Sequence, residues 1–135
     1  MAMMVPHSHR LAAILAEDQR YAPAAYVFVF DALQYAQEVL GLGKSPTGEP
    51  EERHVTGQEL CQAIRLYALE QFGYMAKCVL NNWGIYQTGD FGEIVYNLIR
   101  HGQMKKTDAD RREDFDDVFD FERDLEGSFK ISPVE

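Results

Sequence analysis

The residues best placed to do chemistry in this chain are His54, Trp83, Tyr86, Asp90 and Glu93. An imidazole can move a proton near neutral pH, and a carboxylate can orient it or accept from a ligand. Indole and phenol rings supply an apolar wall with a polar edge. All five stand at predicted helix starts or in a connector. They predict a small-ligand cleft near the starts of the third and fifth helices. His54 would pair with Asp90 or Glu93 only within hydrogen-bond reach. The competing reading gives His54 a backbone carbonyl and leaves the two acids as helix-start stabilisers. No residue is assigned a catalytic role, and the chain reads more as a binding protein than as an enzyme.

Other reactive groups form no recognisable constellation. Cys61 and Cys78 lie on different predicted helices with no CxxC, and they read as small apolar packing residues. His7 and His9 fall in a terminus expected to fray, and His101 suits the last turn of a helix. A metal site needs three or four converging ligands, so no metal and no cofactor is expected. An EF-hand started at Asp108 fails, because Arg112 and Glu113 occupy positions that need an oxygen ligand and a glycine. A phosphate loop ending at Gly43-Lys44-Ser45 fails, because its first glycine would be Glu38. Asp114, Asp116 and Asp117 read as a solvated face rather than an acid–base pair.

Five or six helices must position these groups. Ser8 opens the first, with Leu11, Ile14 and Leu15 on one face, and 21–24 breaks it. Pro23 suits the first turn of the second, which runs to about Leu40 with Tyr26, Phe30, Leu33 and Ala36 inward. Residues 41–53 form a long Gly/Pro-rich loop. Thr56 and Glu59 make a capping box for the third helix, with Val55 and Leu60 as its hydrophobic staple. The fourth, about 74–83, buries Met75, Val79, Leu80 and Trp83. The fifth begins near Thr88 or Asp90, with Asp90 and Glu93 as its capping pair, and buries Phe91, Ile94, Val95, Leu98 and Ile99. Thr107 and Asp110 predict a further short acidic helix. A small β ribbon near the C-terminus, at 103–106 or 129–131, completes a mainly α, compact, bundle-like orthogonal arrangement.

Composition bounds the class. The chain has 135 residues, 22 acids, 13 bases and a formal net charge of −9. With 46% hydrophobic residues it suits one globular domain over 1–135 and not a disordered chain. Its acidity argues against nucleic acid, which needs clustered Lys and Arg. The fourth and fifth helices outline a helix-turn-helix, but Asp90 and Glu93 would repel phosphate there. No window predicts a membrane span or a secretory leader, so a cytoplasmic protein is expected. Residues 104–135 hold 11 of the 22 acids. Within 108–126 these acids alternate with Phe115, Val118, Phe119, Phe121 and Leu125, which predicts a segment that docks its aromatics and leaves its carboxylates in water.

Several stretches together resemble an uncharacterised bacterial family known mainly from planctomycetes and verrucomicrobia. They are His54-Val55-Thr56-Gly57-Gln58-Glu59-Leu60, Phe72-Gly73-Tyr74-Met75-Ala76, the run 79–85, the run 90–99, and Asp114-Phe115. The resemblance covers about residues 10–125 and implies a cytoplasmic bacterial protein. That family has no assigned activity, so it implies no reaction and no site residues. The expected function is a protein-interaction or scaffolding module that engages a protein partner or a second copy of itself. The alternative is a small enzyme or small-ligand-binding protein using the five residues above, and the third reading is a nucleic-acid-associated helical module.

Overall fold

The computed structural model describes residues 1–3, 8–43 and 54–127. The fold is mainly α. Helix α1 spans Ser8–Glu17, α2 Pro23–Glu38, α3 Gly57–Phe72, α4 Ala76–Asn82 and α5 Thr88–Arg100. Strand β1 (Ala2–Met3) pairs antiparallel with β2 (Met104–Lys105), with Ala2 opposite Lys105. A strand therefore forms at one of the two expected places, but its partner is the N-terminus, which is not frayed at 1–3: Met1 is buried and its ammonium pairs with Asp110 at 2.8 Å. The other, 129–131, and most of the 41–53 loop lie outside the described residues.

Local chemistry explains the helix starts. Pro23 occupies the first turn of α2, where its missing N–H has no helical partner to lose. At α3 the Glu59 N–H donates to Thr56 Oγ1 at 3.0 Å, and the Thr56 N–H donates to Glu59 Oε1 at 2.9 Å. Val55 and Leu60 are fully buried beside that box. At α5 the cap is Gln87, and Asp90 reaches back to the Gln87 N–H at 3.2 Å. The expected Asp90–Glu93 capping pair does not form, because an N-cap at Gln87 puts Asp90 at the third helical position. Glu93 serves elsewhere.

Two further expectations are corrected. Asp110 accepts from the Thr107 N–H at 2.8 Å, but this closes a turn and starts no helix, since Arg111 is extended. Met75 is exposed rather than buried, because it lies in a 3₁₀ turn, Gly73–Met75, that separates α3 from α4 and turns its side chain outward.

The core joins α2, α3 and α5. Tyr26, Val29, Leu33, Leu60, Ile64, Phe91, Ile94, Val95 and Leu98 are all buried in it. The acidic C-terminal stretch completes the same core. Phe115, Phe119, Phe121 and Leu125 are buried, while Asp116, Asp117, Asp120 and Glu122 are exposed. A 3₁₀ turn, Arg112–Phe115, packs against both α3 and α5. A Cβ on Gly57 would lie 2.9 Å from the Phe115 ring, and one on Gly92 would lie 2.9 Å from both Arg112 Nη1 and Phe115 Cβ. Both helices carry glycine where this turn touches them.

Candidate functional site

Four of the five predicted residues gather around one turn. The 18–22 link between α1 and α2 meets the Trp83–Gln87 connector, with the Ala22 N–H donating to the Trp83 carbonyl at 3.1 Å. Gly84 permits this meeting. Its φ is +93°, and a Cβ there would stand 2.1 Å from the Arg20 carbonyl oxygen. The Tyr21 hydroxyl donates to Asp90 Oδ1 at 2.7 Å, and Asp90 Oδ2 accepts the Tyr86 N–H at 2.8 Å. Trp83 and Tyr86 line a cleft of about 500 Å³ with Arg20 and Tyr21.

A chain of ion pairs extends from that turn. Arg20 grips Asp18 with bonds of 2.6 to 3.2 Å and reaches Glu93 at 3.2 Å. Arg112 donates to Glu93 from its Nε and to Asp116 at 2.9 Å from Nη1. The Asn97 amide donates to Asp18 at 2.9 Å and meets the Tyr26 hydroxyl at 3.0 Å. A polar cleft of about 530 Å³ opens here, lined by Asp18, Arg20, Glu93, Asn97 and Arg100. The Arg20 guanidinium holds the Asp18 carboxyl far below the carboxylate range, and Asp18 in turn raises Arg20. The Arg112 hydrogen bond lowers Glu93. Burial, then the Asp90 bond, pushes the Tyr21 hydroxyl up. Asp18, Asp90, Glu93 and Asp116 each already face a cation or several donors. The network fastens the end of α1, α5 and the C-terminal stretch together.

His54 lies apart from the other four. Its carbonyl approaches Gly43, and its buried Nδ1 has no hydrogen-bond partner among the described residues. No hydrogen bond joins it to Asp90 or Glu93, and neither cleft includes it. The space predicted for a ligand, between the starts of α3 and α5, holds the Arg112–Phe115 turn. Among the described residues no three His, Cys, Asp or Glu side chains converge as metal ligands, and no helix is long and apolar enough to cross a membrane.

A second site appears where the sequence shows only core stripes. Phe28 on α2 is ringed by Tyr67, Phe72 and Trp83, with centroids 5.4, 5.8 and 5.5 Å away. Phe72 and Trp83 meet edge to face at 5.8 Å. These rings floor an open cleft of about 340 Å³ whose lip carries Ala24, Val27, Asp31 and Gln71. Positions 24, 27, 28 and 31 share one face of α2, as helical spacing requires. Val27 is 52% exposed beside the nearly buried Phe28. The Asp31 carboxylate has no hydrogen bond or ion pair among the described residues, and burial raises its pKa. The available signal was the five-residue apolar run 26–30, which is too continuous for a one-faced helix. Comparison of the chain with protein-family models, curated proteins and solved structures gave no match.

Proposed function

We propose that this chain is a protein-interaction module that offers the Phe28–Tyr67–Phe72–Trp83 cleft to a partner. One observation carries the reading: an aromatic-floored cleft stays open to solvent and is edged by an outward valine. Interface centres are enriched in Trp and Tyr set in pockets of this kind. Tyr74 and Met75, just beyond Phe72, extend the exposed apolar surface. The aromatic residues of the C-terminal stretch do not serve the partner, since they are spent within the chain's own core. The Arg20–Glu93 network is internally paired and serves as scaffold. The bacterial-family resemblance extends this reading to the cytoplasm.

A photo-crosslinking residue placed at Val27, with Ala13 on α1 as an exposed control, tests the reading in cells that produce the protein. An adduct of defined mass at 27 and not at 13, lost on adding Asp31→Lys, is the expected result. An adduct of twice the chain mass would identify the partner as a second copy. Equal labelling at both positions overturns the interaction reading.

A further inference from the structure

The aromatic cleft also carries information about what enters it. Its floor is built from the rings of four residues on α2, α3 and the end of α4. Ring faces are electron-rich and attract cations. Its lip carries the Asp31 carboxylate, and none of the described residues lining it is Lys or Arg. Asp31 and Glu70 are the acidic neighbours of the Tyr67 hydroxyl, so Asp31 is not the only negative charge near Tyr67. The whole chain adds a net −9, which steers cationic partners toward it.

A purely apolar occupant would cover Asp31 without neutralising it, and burying an unpaired carboxylate is costly. An anionic occupant would meet both Asp31 and the ring faces unfavourably. An ammonium satisfies the charge but is compact and strongly hydrated. A guanidinium is planar and weakly hydrated; it stacks on rings and donates to a carboxylate from its edge. The guanidinium uses the floor by stacking and the lip by donating N–H bonds, which a quaternary ammonium cannot donate.

We propose that the cleft takes an arginine side chain from a basic segment of a partner protein, stacked on the Trp83 indole beside Phe72 and paired with Asp31. This rests on the interaction reading above and names its partner class. The arginine enters between Val27 on α2 and Gln71 on α3, which bound the opening. Its aliphatic stem covers Val27, and its head reaches Asp31 one helical turn further along.

Trp83 is the single tryptophan of the chain, so its indole N–H gives one isolated reporter signal. Capped Gly-Arg-Gly, Gly-Lys-Gly, Gly-trimethyllysine-Gly and Gly-citrulline-Gly peptides are titrated at millimolar concentration into the full chain, labelled with ¹⁵N and followed by amide NMR. The arginine peptide should shift the Trp83 indole and the Val27 and Gln71 amides in a saturable way. The other three should bind at least about fivefold more weakly, as should arginine with Asp31→Asn. Asp31 is exposed, and unchanged thermal unfolding of that variant confirms that its fold is intact. Equal binding of lysine or trimethyllysine overturns the assignment to arginine. Equal binding of citrulline overturns the role of charge. Absence of any shift, with the Val27 crosslink still present, removes the arginine proposal and leaves the interaction module standing.

Discussion

The Arg112 Nε donates to Glu93 across 19 residues of chain, and this bond fastens the C-terminal stretch to α5. The Arg112 hydrogen bond holds the Glu93 carboxyl below its ordinary value. A carboxyl lowered on folding contributes stability above its unfolded pKa and loses it as pH falls through the folded one. About a third of each partner is exposed, so solvent screens the pair. Glu93→Gln should therefore cost about 1 kcal/mol near neutral pH. Urea unfolding should show its gap from wild type closing below about pH 4. A gap that persists in acid would mean Glu93 acts through packing alone.

Gly92→Ala and Gly89→Ala should differ. Alanine gains about 1 kcal/mol over glycine in a helix by propensity. At 92 the new methyl would lie 2.9 Å from the Phe115 Cβ, held by a buried ring. Overpacking of that kind costs about 1–3 kcal/mol, so the net effect is destabilising. At 89 the nearest atoms are the ends of Arg112 and Asp116 at 3.2 Å, which can move. Chemical denaturation should rank Gly92→Ala below wild type and Gly89→Ala at or near it.

Phe115→Ala should be the most damaging substitution in the C-terminal stretch. The ring is 1% exposed between α3 and α5, and removing such a ring costs about 3–5 kcal/mol. Tyr86→Ala, at 65% exposure, should stay within about 0.5 kcal/mol of wild type. Truncation after Thr107 should uncover Phe91 and its neighbours and give a chain that binds a hydrophobic dye. A truncated protein that stays monomeric and melts like the full chain would contradict this.

The two thiols should separate cleanly. Cys61 is fully buried on α3, and burial pushes its pKa well above the ordinary thiol value. Cys78 is exposed on α4. A thiol reagent should modify one cysteine of the native protein quickly, and mass mapping should place it at Cys78. Cys61 should react only as the protein unfolds, and prompt labelling of both would argue against this core.

What the sequence made legible was local. The Thr56–Glu59 box lies within four consecutive residues, so its chemistry needs no knowledge of the rest of the chain. The α5 start differs from its expected form by one partner, because Gln87 caps in place of the acid. Trp83, Tyr86, Asp90 and Glu93 come together because they share one connector and the helix that follows it. Their organiser, Tyr21, lies 69 residues from Asp90 in sequence, and no spacing rule reaches that far. Periodicity also marks a helix face as apolar without saying whether anything covers it. For that reason periodicity alone does not show that Phe28, Tyr67 and Phe72 floor an open cleft.

The Arg112–Phe115 turn lies between helices whose own sequence ended many residues earlier. Neither α3 nor α5 can bury its facing side until that turn arrives, and the turn has no core of its own. The helical part should therefore lose stability if the turn detaches. Folding should be cooperative from Ile14 to Leu125, and probes at Trp83 and in the C-terminal stretch should report a single shared midpoint.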